Sequence, residues 1–149
     1  MLVPQRVPLI SFPLDHFGTR HNTDMMLSGI DHVQLAAPPG CEAEARNFFG
    51  CLLELEEIEK PEPLRSRGGC WFKLGSIQLH IGVEEAFRPA TKAHPALAVH
   101  NINAVFEVLE GAGVQCIWDE ALEGIRRFYA NDPWGNRLEF TEPTSPDAD

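Results

Sequence analysis

The sequence predicts an α+β fold in which one strand–helix–three-strand unit is used twice. Three observations carry that expectation. The same order of elements is legible in two stretches, 29–83 and 93–142. Metal-capable side chains recur at near-constant spacing: His32 and His94 lie 62 positions apart, both in an x-His-x-x-Leu-Ala frame, and Gln78 and Glu139 lie 61 apart, each between apolar neighbours. Glycine and proline together make up 24 of the 149 residues, more turn chemistry than a helical bundle uses.

The elements follow in order. Ile30–Ala37 alternates like a half-buried strand and is ended by Pro38-Pro39-Gly40. A helix is expected from Glu42 to Leu53, with Ala45, Phe48, Phe49 and Leu52 at helical spacing. Leu55–Glu59 reads as a strand that stops at a Pro61-Glu62-Pro63 turn. Gly69–Lys73 and Ile77–Val83 read as a hairpin through Gly75-Ser76. The second unit opens with a strand at Ala93–Val99. Asn101 or Asn103 then caps a helix carrying Ile102, Val105, Phe106 and Leu109, with Gly111 and Gly113 at its end. Val114–Trp118 is the next strand. Arg126–Ala130 and Arg137–Thr141 form a second hairpin, whose Asn131-Asp132-Pro133-Trp134-Gly135-Asn136 link is a strong turn signal.

Composition narrows the function classes. Apolar residues are 44 % and charged residues 23 %, close to an average globule, and no apolar run approaches the ~20 residues of a membrane span. The net charge of −10 repels phosphate backbones, which argues against nucleic acid. The 1–28 stretch is expected to be a flexible arm; its first 24 residues hold Arg6 and Arg20 against Asp15 and Asp24, so the acidity belongs to the remainder. A single domain over 29–142 and a fraying tail over 143–149 complete the chain. Cys41, Cys51, Cys70 and Cys116 form no C-x-x-C pair and read as reduced thiols of a cytoplasmic protein.

Strand alternation indicates which groups converge. His32 and Gln34 share the face opposite Val33 and Leu35, Gln78 and His80 the face opposite Leu79 and Ile81, and Arg137, Glu139 and Thr141 the face opposite Leu138 and Phe140. Closing the two units around one cleft would line it with His32, His94, Glu139 and either Gln78 or His80. Such N/O donors suit Fe(II), Mn(II), Co(II), Ni(II) or Zn(II). The repeat selects Gln78 on the fourth strand, whereas ligand chemistry prefers the imidazole of His80. Two residues along a strand span about 6.6 Å, so one ion would not take both, and a three-ligand site stays open. Arg126, Arg127, Arg137, Tyr129, Lys73 and Trp71 lie on neighbouring strands as candidate substrate contacts.

Several segments resemble the vicinal oxygen chelate superfamily, which includes glyoxalase I, methylmalonyl-CoA epimerase, extradiol dioxygenases and the fosfomycin and bleomycin resistance proteins. They are Ile30–Leu35, Ala45–Phe49, Ala93–Val99 and Phe128–Phe140. The last is the most specific, with an aromatic pair, Asp-Pro-x-Gly-Asn and x-Leu-Glu. The resemblance implies two βαβββ modules in an open, cupped eight-stranded mixed sheet with a central metal cleft. It implies ligands at His32, Gln78, His94 and Glu139, with Glu139 also the catalytic carboxylate, and a homodimer. Glyoxalase I usually carries Glu at the fourth-strand position and the epimerase Gln. The His32, His94 and Glu139 trio matches the fosfomycin-type transferases and the extradiol dioxygenases. The expected function is that of a divalent-metal-dependent lyase, isomerase or ring-cleaving oxygenase on a small oxygen-chelating substrate. The alternative is a metal-free binding protein of the bleomycin-resistance kind.

Overall fold

A computed structural model describes residues 26–143. The expected arm up to residue 25 and the tail from residue 144 lie outside the described residues. The first module runs β1 (His32–Ala37), α1 (Glu42–Ala45 together with the continuing turns Arg46–Leu52), β2 (Glu57–Ile58), α2 (Glu62–Arg65), β3 (Cys70–Leu74) and β4 (Ile77–Val83). The second runs β5 (Ala96–Ala98), α3 (Ile102–Gly111), β6 (Ile117–Asp119), β7 (Ile125–Asn131) and β8 (Arg137–Pro143). The α+β architecture is as expected. Hydrogen bonding divides the eight strands into two four-stranded mixed sheets of matching order, β1-β4-β3-β2 and β5-β8-β7-β6. In each, the first strand runs parallel to the last and the remaining pairs are antiparallel.

Four elements depart from the sequence reading, each for a local reason. The first helix is α-helical over Glu42–Ala45 and π-helical over Arg46–Leu52; the Leu53 N–H reaches back five residues to the Phe48 carbonyl. The expected Pro61-Glu62-Pro63 turn is instead the start of α2, because extended Pro61 precedes the helix and Pro63 presets φ in its first turn. Strand β5 begins only at Ala96, after Pro95, which has no N–H to give a ladder. Strand β6 begins at Ile117 because Gly113 (φ +80°) and Val114 close α3: their N–H groups return to the Glu110 and Leu109 carbonyls in a Schellman motif. Asn101 is the residue that caps α3, its Oδ1 accepting from the Ala104 N–H at 3.1 Å.

The first helix and α3 cover the outer faces of the sheets. Phe49 of α1 meets Phe72 of β3 at 5.9 Å, and Phe106 of α3 meets Phe128 of β7 edge-on at 5.3 Å. Leu79, Ile81, Ile102, Leu138 and Phe140 complete a core that is one cluster across both modules. Burying a side chain such as Phe49 contributes about 1.5–3 kcal/mol. Outer positions are therefore taken by apolar residues, and alternation turns the polar and charged ones to the inner faces. No helix among the described residues is long and apolar enough to cross a membrane.

Candidate active site

On the inner face of the first sheet, β1, β3 and β4 bring His32, Trp71 and His80 into one stack. His80 is only 5 % exposed. Its ring lies 3.8 Å from Trp71, parallel within 1°, and 4.3 Å from His32 at 17°. Gln78 stands opposite His32 in the β1–β4 ladder, and its Oε1 lies 2.8 Å from His80 Nε2 and accepts that N–H. His32 Nδ1 lies 2.8 Å from Asp31 Oδ2. Burial, and then the neighbouring His32, hold the His80 pKa below the ordinary histidine value. Trp71, expected as a substrate contact, forms the other side of the His80 stack.

The second sheet places Glu139 on β8 beside His94, which precedes β5. Glu139 is 7 % exposed. Its Oε2 lies 2.8 Å from His94 Nε2, and its Oε1 accepts from Arg127 at 3.2 Å. Arg127 also reaches Asp119 at 3.2 Å. Its guanidinium is thus directed to carboxylates rather than left open, and its buried Nε has no partner. On the far side of the His94 ring, Nδ1 lies 2.8 Å from the Lys92 carbonyl. A carbonyl oxygen only accepts, so Nδ1 carries a proton. Nε2 and Glu139 Oε2 then face each other, and 2.8 Å between two acceptors requires a cation between them, a proton or a metal ion. Cis ligands about 2.1 Å from one ion sit about 3.0 Å apart, which matches the pair. A backbone carbonyl on the second ring nitrogen is also how ligating histidines are oriented. Tyr129 lies edge-on to His94 at 5.6 Å, and Arg137 lies 3.9 Å above the Tyr129 ring.

Strand register relates the two faces. On β1 and β4, Gln34 stands opposite His80; on β5 and β8, Ala96 stands opposite Glu139. His32 and His94 each lie two residues before the opposed position. His80 therefore corresponds to Glu139, and Gln78 corresponds to Arg137. The candidate donors fall into two like pairs, His32 with His80 and His94 with Glu139. Among the described residues, no group of three His, Cys, Asp or Glu side chains that could hold an ion is brought together. His94 and Glu139 are spaced as two donors to one divalent ion would be, and His32 and His80 form a separate pair in the first module.

Sequence reasoning missed two positioning groups. Asp31 is next to His32 in the chain, but its role appears only as a side-chain contact. The Lys92 carbonyl is a backbone group that no side-chain motif announces.

Among solved structures, a glyoxalase family protein from Bacillus anthracis is 53 % identical, covering 78 % of this chain and 96 % of that one, with a TM-score of 0.76. Lactoylglutathione lyase from Agrobacterium tumefaciens is 19 % identical over 79 % of this chain and 96 % of that one (TM-score 0.62). The fosfomycin resistance protein FosX from Listeria monocytogenes is 20 % identical over 80 % and 96 % (TM-score 0.64). The last two share the fold. No family model matches the chain, and no curated protein matches it.

Proposed function

Since the chain belongs to the glyoxalase family, within the vicinal oxygen chelate superfamily, we propose that it is a divalent-metal-dependent enzyme acting on a small substrate with adjacent oxygens. One observation carries the reading: His94 donates through Nδ1 to the Lys92 carbonyl while its Nε2 faces Glu139 Oε2 at 2.8 Å. His94 and Glu139 would hold the ion, with His32 and His80 as the corresponding pair of the other module; Gln78 then orients His80. The bound ion, Fe, Mn, Co, Ni or Zn, supplies a Lewis acid for oxyanion chemistry of the lyase, isomerase or oxygenase type. Arg127 fixes the orientation of the Glu139 carboxylate through Oε1. Oε2, which faces His94 Nε2, would be the oxygen turned to the ion.

The proposal includes a homodimer, since one chain supplies two half-sets of donors and a second copy can complete either. It also includes a cytoplasmic location, where the four free cysteines stay reduced. The competing reading, a metal-free binding protein, is favoured by the separation of the donor pairs. Metal analysis separates the two. Purified protein offered each of the five ions and then freed of excess should retain a stoichiometric ion, and the His94→Ala/Glu139→Gln double variant should not. Wild-type protein that retains none sinks the enzyme reading and leaves the binding protein.

A further inference from the structure

We propose that Arg137 and Tyr129 bind the negative group of the ligand, which makes the substrate a small organic anion with an apolar body. This deepens the reading of the second inner face as the substrate face and rests on it.

Most arginines of the second module are neutralised: Arg126 pairs with Glu142, and Arg127 pairs with Asp119 and Glu139. Arg137 has no carboxylate at ion-pair distance among the described residues. It is held instead by a ring, its guanidinium carbon 3.9 Å from the Tyr129 centroid. Stacking of this kind fixes the plane of the group but leaves its edge N–H donors available, the geometry suited to a carboxylate or phosphonate fork. Arg137 opens onto a cleft of about 330 Å³ also lined by Tyr129, Thr91, Gln115, Asn131 and Ile117, and among the described residues it is the one charged side chain that lines it. That volume is at the low end for small-molecule sites. Ile117 gives an apolar wall, and the amides and hydroxyl give neutral polar contacts.

The cleft adjoins the candidate centre, because Tyr129 touches both Arg137 and, edge-on, His94. Register reinforces the link: Arg137 precedes Glu139 by two residues on one strand, so both face inward. An anion approaching a chain of net charge −10 is repelled at long range, and a local unpaired cation is what reverses the sign at the site.

The test uses mandelate and its neutral isostere mandelamide, which share a ring and adjacent oxygens and differ in charge. Binding is followed by calorimetry or NMR titration on full-length protein, both metal-loaded and chelator-treated. Chelator-treated wild type should prefer mandelate by about tenfold or more. Arg137→Gln should abolish the preference, and Arg137→Lys should keep part of it. Equal affinity for the two ligands, no detectable mandelate binding, or a preference unchanged in Arg137→Gln would overturn the proposal. The outcome is independent of the metal reading: a preference in protein that binds no ion leaves Arg137 in place and removes the metal, and an ion bound without preference does the reverse.

Discussion

At the scale of single residues, the site is set by which acceptors face which rings. His94 stands between two acceptors and so marks a cation position, whereas His80 stands between two rings in a buried place that disfavours its charged form. That difference has a pH consequence. The folded pKa of His80 is depressed, by burial first and by His32 second, with Asp31 opposing and Lys60 assisting. The unfolded chain takes up its proton near pH 6.5. Below that value, and down to the lower folded pKa, the unfolded state holds more protons, so stability falls as pH falls. Above about 6.5 the contribution is fully present. Metal-free protein should lose denaturation free energy across this acid window with a slope of at most about 1.4 kcal/mol per pH unit from this group. His80→Gln should flatten the curve by that share; an unchanged curve would place the titration elsewhere. The same residue shows where sequence counting ends. The His32–His94 interval is 62 positions, but His80 and Glu139 are 59 apart, because the modules differ in loop length. Linear spacing points to Gln78, which also stands opposite His32 in the ladder, whereas the ring contacts bring His80 onto His32.

At the scale of elements, the turn between β7 and β8 does more than reverse the chain. Asp132 Oδ1 accepts from the Trp134 and Asn136 N–H groups at 3.0 and 2.8 Å. Asn136, 2 % exposed, donates to the Ala36 carbonyl of β1 at 2.8 Å and accepts from the Ala90 N–H at 2.9 Å. One amide thus ties the turn, the connector and the first module. Asn136→Ala takes a partner from the half-buried Ala36 carbonyl, the Ala90 N–H and the buried Asp132 carboxylate and should cost about 1–3 kcal/mol in urea denaturation. Trp134→Phe removes only the partly exposed bond to Glu44 and should cost under about 1 kcal/mol. Similar costs for both variants would show that the Asn136 network is dispensable. The turn itself was legible from Asp-Pro-Trp-Gly-Asn. Its reach to Ala36 was not, since no local pattern reports a partner 100 residues away. Strand and helix identities were legible from periodicity. Their edges were moved by the proline before β5 and the glycine closure of α3, and the π-helical stretch keeps the apolar spacing of an ordinary helix, so periodicity does not distinguish it.

At the scale of the whole molecule, duplication raises the question of whether the modules are separate folding units. Alone, each would be a chain of roughly 50–60 residues, a size at which burial is marginal. Together they share one apolar cluster that runs from Leu35 and Phe49 to Leu109 and Phe140, and Asn136 and Trp134 bond directly to Ala36 and Glu44. The two should therefore unfold as one. The tryptophans allow this to be measured, because Trp71 lies in the first module and Trp118 in the second. A variant with Trp71 alone (Trp118→Phe, Trp134→Phe) and one with Trp118 alone (Trp71→Phe, Trp134→Phe) can each be unfolded in urea and followed by both fluorescence and circular dichroism. Within each variant, the local fluorescence curve should coincide with the global dichroism curve in midpoint and slope. A fluorescence transition that precedes the dichroism in either variant would mean that one module opens first. The shared core would then be a contact between two independent folds, and the inner faces could move relative to each other without unfolding.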